Sequence, residues 1–193
     1  MKTKHLILAL AVLTFSGIGG AAAAATYDID ASHSSVNFQI RHLAISKVNG
    51  SFDDFSGSFD YVEGEPGSWS AMAEIQTASV NTGNGDRDNH LRSGDFFNSE
   101  KNPLMTFKST GVKGDKMMGD LTLNGITKPV ELDLEFNGGA TDPWGNEKVS
   151  FTATGKIDRK DFGLTWNKAL ETGGFVVGDQ VKITLEIAGA KRK

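Results

Sequence analysis

The chain has 193 residues, no cysteine and a formal net charge of −4. This length is typical of a single domain with a sizeable hydrophobic core. The lack of cysteine excludes stabilisation by disulfide bonds, so the core has to hold the fold together. A net negative charge gives no attraction to nucleic acid or to an anionic membrane surface, and neither is predicted as a partner.

The N-terminus has the three-part pattern of a secretory signal peptide. Lys2 and Lys4 are basic, residues 6–15 are apolar, and small residues follow up to Ala25 in an Ala-x-Ala pattern. The apolar run is too short for a membrane-spanning helix, which needs about 20 residues. We expect residues 1–25 to be a cleaved signal peptide and residues 26–193 to be the mature domain.

The mature segment has no second long apolar run and no cysteine near its start that could carry a lipid anchor. It is therefore expected to contain no integral membrane segment. An exported protein without disulfides or an anchor fits the bacterial periplasm, which is the predicted location.

Most of the mature segment alternates apolar and polar residues with a period of two, as half-buried strands do. The alternation slips by one near Asp53 and Asp54, which indicates a bulge, and Asn124-Gly125 is a strong hairpin signal. About eight strands are predicted, without the spacing of parallel βαβ units. The predicted fold class is all-β, an eight-stranded antiparallel barrel, and the same pattern also allows a two-sheet sandwich.

The predicted inner faces combine large side chains with small ones. The small residues are Gly57, Ala71, Ala73, Gly119, Ala153 and Gly155. Such a mixture can fill a tapering, packed interior, or it can leave a lumen lined by aromatic rings, and eight-stranded barrels of both kinds exist. The alternation of residues alone does not decide between a packed barrel and a barrel with a ligand cavity.

One stretch breaks the alternation with turn residues and a dense run of charges. We predict a single helix over residues 86–97, packed across the barrel and capped by Asn84 or Asp86. The charges favour a structural helix over a catalytic site, because Asp88 and Arg92 have the i,i+4 spacing of an ion pair. No serine or cysteine nucleophile motif accompanies them.

The three histidines of the mature segment, His33, His42 and His90, lack the spacing of metal ligands. Structural roles are favoured for them, and no metal or cofactor is predicted. By its position in the alternation, His42 lies on the same strand face as apolar neighbours and could instead face a ligand. Trp144 and Trp166 lie in predicted turns, where burial as core or as a barrel plug is favoured over a place on a pocket rim.

Several long motifs, in order along the chain, resemble the YceI-like family of bacterial periplasmic proteins. They include GSFDDFSG, ASVNTGNGDRDNHLRSGDFFNSEKNPLMTFKST, GDLTLNGITKPVELDLEF and DRKDFGLTWNKALETGGFVVGDQVKI. The resemblance covers essentially the whole mature segment. It implies a lipocalin-like, eight-stranded barrel that binds, stores or transports a long-chain amphiphilic lipid, a polyisoprenoid or an isoprenoid quinone. It brings no established catalytic residues, and homodimers occur in the family.

A lipid of this kind needs an apolar tunnel for its tail and a polar mouth for its head group. The residues predicted by parity to line the tail site are Phe38, Phe55, Phe59, Phe107, Leu121, Leu132, Phe136 and Phe151. His42, Arg87 and His90 are predicted at the mouth. Replacing Gly119 or Ala153 by Phe should block lipid uptake in a barrel that still folds.

Two other interpretations stay open. The first is an enzyme acting on a prenyl lipid or its pyrophosphate head, with His42, Arg87, Asp88 and His90 as candidate catalytic groups. The second is a stress-linked structural or interaction protein whose barrel is fully packed. Turnover of a bound lipid would favour the enzyme, and an interior without space would favour the packed barrel.

Overall fold

The computed structural model describes residues 24–171 and 173–193. Residues 1–23 of the predicted signal peptide therefore lie outside the described residues. The strands are β1 (Ala25–Ile29), β2 (Ser35–His42), β3 (Ser46–Phe52), β4 (Phe55–Tyr61), β5 (Ser70–Gln76), β6 (Val80–Asn81), β7 (Leu104–Lys113), β8 (Lys116–Leu123), β9 (Ile126–Thr141), β10 (Glu147–Asp158) and β11 (Val177–Lys191). Helix α1 (Gly85–Arg92) lies between β6 and β7.

The strands pair antiparallel, and the sheet closes on itself because β1 pairs with both β4 and β11. Three strands of the barrel are each interrupted once, so that β1 continues into β2, β3 into β4, and β5 into β6. The second halves keep the same order, since β2 pairs with β11 and β3, and β3 pairs with β6. With each interrupted strand counted once, the barrel is a closed, eight-stranded meander. This confirms the predicted barrel and excludes the sandwich.

The interruption between β3 and β4 lies at Asp53 and Asp54, where the alternation slips. Phe52 and Phe55, on either side of it, are 5% and 9% exposed, so both face the interior although they are three positions apart. The exposed Asp53 accepts a hydrogen bond from Asn81 Nδ2 at 2.8 Å, which ties β3 to β6. The predicted irregularity is confirmed, and it turns both phenylalanines inward.

Two of the hairpin turns each have two consecutive residues with left-handed backbone. Asn124 (φ 52°) and Gly125 (φ 75°) join β8 to β9, as the Asn-Gly signal predicts, because both residues tolerate positive φ. Leu43 (φ 55°) and Ala44 (φ 60°) join β2 to β3. The left-handed conformation costs an ordinary L-residue about 1–2 kcal/mol, so the β2–β3 turn is strained.

Helix α1 is shorter than predicted. It begins after Asn84, whose side-chain oxygen accepts a hydrogen bond from the amide of Arg87 at 3.0 Å. It ends at Arg92, because Ser93 has extended backbone and its hydroxyl donates to the carbonyl of His90 at 2.8 Å. Among the described residues, no helix is long and apolar enough to cross a membrane.

The predicted ion pair between Asp88 and Arg92 does not form. Asp88 instead accepts hydrogen bonds from the amide and the hydroxyl of Thr82, at 2.9 and 2.5 Å. Arg92 donates to the carbonyls of Ala78 and Val80, at 2.7 and 3.1 Å. Both side chains therefore fasten the helix to the segment that precedes it, which agrees with the structural role predicted for these charges.

Buried side chains form two clusters inside the barrel. The cluster on the helix side includes Phe52, Phe97 and Leu121, and the ring centroids of Phe52 and Phe97 are 5.4 Å apart. Phe97 thus anchors the segment after α1 to the core. The second cluster, around β1, includes Tyr27 and Phe59, whose rings stack with centroids 5.4 Å apart.

The prediction that Trp144 is core or plug is wrong, because this side chain is 84% exposed. Trp144 lies in the turn between β9 and β10. Asp142 organises the turn by accepting hydrogen bonds from the amides of Trp144 and Asn146, both at 2.9 Å. These local bonds fix the turn and leave the indole outside the barrel.

Candidate functional site

The barrel encloses a cavity of about 590 Å³, and both core clusters contribute to its wall. We call this space the chamber. Its volume lies within the range of about 300–1,000 Å³ that is usual for small-molecule sites. The interior is therefore a chamber and not a fully packed core, which counts against the packed-barrel interpretation.

Ten of the eleven predicted site residues line the chamber. They are Phe38, His42, Phe55, Phe59, Arg87, His90, Phe107, Leu121, Leu132 and Phe151. The strand positions among them follow from parity, because inward-facing and outward-facing residues alternate along every barrel strand. The two on α1 follow from the position of the helix across one end of the barrel.

Phe136 is the predicted residue that does not line the chamber. It lies opposite Phe151 in the β9–β10 ladder and therefore on the same face, with the two ring centroids 5.2 Å apart. However, β8 begins at Lys116, opposite Asp133, so Phe136 lies beyond the end of β8. One flank of Phe136 has no neighbouring strand, and the side chain is 44% exposed.

Gly119 also differs from its prediction, because the ring of Phe107 covers it. A Cβ atom at Gly119 would lie 2.4 Å from that ring and 2.8 Å from the carbonyl oxygen of Lys108. Even a small side chain at Gly119 would displace this ring, so Gly119→Phe would strain the barrel wall as well as fill the chamber. Ala153, in contrast, is buried and lines the chamber.

Polar side chains gather at the end of the chamber beneath α1. Arg87 donates from Nε to the hydroxyl of Thr82 at 2.7 Å and from Nη2 to the carbonyl of the same residue at 2.8 Å. His90 Nε2 lies 2.8 Å from a carboxylate oxygen of Asp95. His42 lies at the end of β2. Arg87 and His90 are thus held in place by protein partners while they face the chamber.

The loop before β11 connects the two sides of this mouth. The ring centroid of Trp166 lies 4.8 Å from that of His90. Asn167 Nδ2 donates to the carbonyl of Val177 at 2.7 Å, and Val177 pairs with His42. Trp166 is partly buried and lines the chamber. The indole therefore belongs to the rim, the role that the sequence analysis ranked second.

Arg159 is a chamber residue that the sequence analysis missed. The side chain is 2% exposed. It donates to the carbonyl of Gly178 at 2.9 Å, to those of Leu164 and Trp166, the latter at 2.9 Å, and to the carboxylate of Asp179 at 3.3 Å. Its sequence neighbours are charged as well, so no pattern marks it as buried. Arg159 holds the loop before β11 in place.

Charges near this loop are paired. Asp179 accepts a hydrogen bond from Lys160 at 2.8 Å, and this bond, followed by the positive charges of Lys160 and Arg159, holds the pKa of Asp179 below its usual range. Asp179 therefore stays ionised at neutral pH. Within the described part of the chain, no three His, Asp or Glu side chains converge as a metal site would require.

The site therefore combines an apolar chamber with a polar mouth. Such a site can take up an amphiphilic molecule, because apolar surface gains free energy on leaving water while a polar group loses it unless new hydrogen bonds form. The fold and the site together define a barrel protein with an internal ligand chamber.

The sequence matches known proteins of one family. Residues 27–189 match the YceI-like domain. The chain is 42% identical over 199 residues to Protein YceI of Escherichia coli O157:H7, and the alignment covers 100% of both chains. The chain belongs to the YceI-like family.

Two solved structures share the fold. The Campylobacter jejuni YCEI protein is 34% identical and superimposes with a TM-score of 0.69, covering 79% of this chain and 90% of that one. A polyisoprenoid binding domain from Saccharophagus degradans superimposes with a TM-score of 0.63 at 17% identity, covering 86% of this chain and 98% of that one. The barrel is thus the lipocalin-like architecture that the resemblance implied.

Proposed function

We propose that this protein binds a long-chain isoprenoid-type lipid, a polyisoprenoid or an isoprenoid quinone, inside the barrel and stores or carries it in the bacterial periplasm. The observation that carries the proposal is the chamber of about 590 Å³, walled largely by apolar side chains and lined at its mouth by His42, Arg87 and His90. The domain from Saccharophagus degradans that shares this fold is named for polyisoprenoid binding, which supports the same class of ligand.

The chamber suits a prenyl tail for a physical reason. Each methylene-sized group that leaves water contributes about 0.8 kcal/mol, so affinity should increase with chain length until the chamber is full. The head group would lose its hydration inside the apolar wall and therefore stays at the mouth. There the His42 imidazole and the held side chains of Arg87 and His90 face it.

The periplasmic location rests on the N-terminal pattern. If the signal peptide is removed as proposed, protein isolated from the periplasmic fraction should begin at Thr26. The intact mass of the protein measures this directly. Recovery of a full-length chain from the cytoplasmic fraction would contradict the proposed export.

The ligand can be identified on the protein as it leaves the cell. Native mass spectrometry after mild purification should show a lipid-sized adduct. Organic extraction and mass analysis of that adduct should give one or more isoprenoid lipids, which differ by whole isoprene units if several chain lengths are bound. The same spectrum reports the number of chains per particle and so tests whether this chain forms a homodimer, as members of the family can.

Two results would overturn the proposal. One is a protein that carries no lipid after mild purification and takes none up from added polyprenyl alcohol or quinone. The other is chemical turnover of the bound lipid during incubation, abolished by Arg87→Ala, which would favour the enzyme. We expect the lipid to be recovered unchanged.

A further inference from the structure

Two apolar side chains are strongly exposed beside the mouth of the chamber. Ile45, in the β2–β3 turn, is 86% exposed, and Phe175, just before β11, is 57% exposed. The amide of Leu43 donates to the carbonyl of Val176 at 2.8 Å, so the turn and the loop lie side by side. We call Leu43, Ala44, Ile45 and Phe175 the rim patch.

The rim patch is continuous with the wall of the chamber. Val176 follows Phe175 directly, and His42 precedes Leu43; both Val176 and His42 line the chamber. His42 pairs with Val177, another residue of the wall. A molecule that passes the mouth on this side therefore passes the rim patch.

The turn that carries Ile45 is held in an unfavourable conformation. Leu43 and Ala44 have φ angles of 55° and 60°, where glycine or asparagine would fit with less strain. Strained backbone persists only where the surrounding structure holds it, and it is frequent at sites of contact with ligands and partners. Here the strained turn projects an isoleucine into solvent, which burial inside the barrel does not explain.

Cations flank the rim patch. Arg41 and Lys47 face each other across the β2–β3 hairpin, and Arg41 Nη1 donates to the carbonyl of Ala44 at 3.4 Å. On the other side, Lys160 Nζ lies 5.9 Å from the centre of the Phe175 ring. Neither Arg41 nor Lys47 forms an ion pair with any residue that the structure describes.

The acidic groups nearby leave this positive character in place. Asp179 is already paired with Lys160 at 2.8 Å and with Arg159 at 3.3 Å. The exposed Glu171 lies on the same loop as the exposed Lys168, which carries the opposite charge. The whole chain is net negative, but the fold gathers cations around its most exposed apolar turn.

We propose that the rim patch docks on the surface of a lipid bilayer that carries anionic head groups. Ile45 and Phe175 insert at the interface while Arg41 and Lys47 contact the head groups, the combination of buried apolar area and basic charge that interfacial binding requires. The mouth of the chamber then opens against the bilayer. The inference goes beyond the proposed function, because it concerns a surface and holds for any ligand in the chamber.

Binding to vesicles tests the proposal. Purified protein, shown by mass spectrometry to lack residues 1–25, is sedimented with phosphatidylglycerol–phosphatidylcholine vesicles and with phosphatidylcholine vesicles alone. The cleaved protein is required because the apolar residues of an uncleaved signal peptide would themselves bind lipid. We expect stronger binding to the anionic vesicles, weakened by salt. Ile45→Ser should weaken binding about tenfold, because it removes one buried aliphatic side chain.

Two further variants sharpen the result. Lys47→Gln should weaken binding to anionic vesicles about fivefold and leave binding to phosphatidylcholine unchanged. Trp144→Ser is the matched control, since Trp144 is 84% exposed but lies in the β9–β10 turn, near the pairing of Lys148 with Ala190 at the far end of β11. It should bind vesicles as the unsubstituted protein does.

The proposal fails if the unsubstituted protein does not bind vesicles, or if Trp144→Ser weakens binding as much as Ile45→Ser. It also fails if the protein is a dimer that Ile45→Ser converts to a monomer, because the patch then covers a second copy. The lipid content of the same variants distinguishes a failure of the docking proposal from a failure of the proposed function. Ile45→Ser should keep its bound lipid, whereas a protein without lipid would contradict the proposed function and leave the docking result standing.

Discussion

At the scale of single residues, glycines decide how the aromatic rings lie in the chamber. The ring of Phe38 lies over Gly50, that of Phe59 over Gly189, and that of Phe107 over Gly119, each so closely that a Cβ atom would be 2.4 Å from ring carbon. The rings can approach the barrel wall this closely because the glycines have no side chain. Small residues therefore keep the chamber open by letting large ones lie against its wall.

Gly119→Ala should destabilise the barrel by about 1–3 kcal/mol, the usual cost of overpacking a core. The reason is that the new methyl group would push the Phe107 ring away from the wall. Gly111→Ala, in the same β7–β8 hairpin, is the control, because a Cβ there would meet only Met118 at 3.9 Å. Urea unfolding measures both, and equal stability of the two variants would show that Phe107 can move freely.

Asp30 is a second residue whose role depends on a distant partner. Its carboxylate accepts a hydrogen bond from Lys148 Nζ at 2.7 Å and lies 2.9 Å from His33 Nδ1. The hydrogen bond from Lys148, then those from Ser32 and His33, hold the pKa of Asp30 well below its usual range. The charged carboxylate thus fastens the β1–β2 interruption to β10.

This lowered pKa makes stability depend on pH. A carboxyl group with a depressed pKa stabilises the folded state above its unfolded-state pKa of about 3.9, and this contribution is lost as the pH falls below that value. Asp30→Asn should therefore cost about 1–2 kcal/mol at neutral pH and less at pH 3. Asp28→Asn, which removes an exposed ion pair with Arg192, should cost little at either pH. Urea unfolding at both pH values measures these losses of stability. An equal loss for Asp30→Asn at neutral pH and at pH 3 would contradict the role given to the charged carboxylate.

At the scale of elements, the loop before β11 depends on side chains where it has few regular backbone pairings. Its described residues contain one isolated β-bridge, between Ala169 and Phe175. Arg159 supplies hydrogen bonds that the backbone pairing of the loop does not, because its guanidinium donates to the carbonyls of Leu164, Trp166 and Gly178. One buried side chain therefore positions a whole side of the mouth.

Arg159→Leu should lower the free energy of unfolding by about 2–4 kcal/mol, because it leaves buried carbonyls without donors. It should also speed amide hydrogen exchange in the loop before β11 more than in β7 or β8. Lys160→Leu, which removes the exposed bond to Asp179 and the cation's contact with the Phe175 ring, should cost less than about 1 kcal/mol. A uniform change in exchange across the barrel would show that Arg159 stabilises the fold as a whole and not this loop in particular.

At the scale of the whole molecule, closure of the barrel makes the chamber possible. The β1–β11 pairing closes the ring of strands, so the wall is held by hydrogen bonds between strands and the centre need not be filled by side chains. The interior can then be shaped for a ligand without loss of the fold.

Ala153→Phe should fill part of the chamber and reduce the lipid content of the protein about tenfold. The added ring would displace at least two methylene-sized groups of the ligand, each worth about 0.8 kcal/mol. Thr154→Phe is the control, because the neighbouring residue faces outward and should leave lipid content unchanged. Mass spectrometry of the extracted lipid measures both, and circular dichroism confirms folding. Normal lipid content in Ala153→Phe would mean that the ligand lies elsewhere.

The sequence by itself determined the strands and the face on which each residue lies. Alternation identified the antiparallel strands and the inward-facing positions on them, while it left a barrel and a sandwich both open. The break at Asp53 and the turn at Asn124-Gly125 were visible as local signals. These features follow from the sequence because strand periodicity and turn conformation depend on a few adjacent residues.

Only the tertiary structure decided how far along the barrel each residue lies and what covers it. Phe136 has the right parity but lies beyond the end of β8. Gly119 faces inward but lies under Phe107, and Arg159 is buried within a charged run. The turn that carries Ile45 and the loop that carries Phe175 lie side by side only when β2 pairs with β11. Each of these facts depends on strand register and on contacts between distant segments, which periodicity along the chain does not contain.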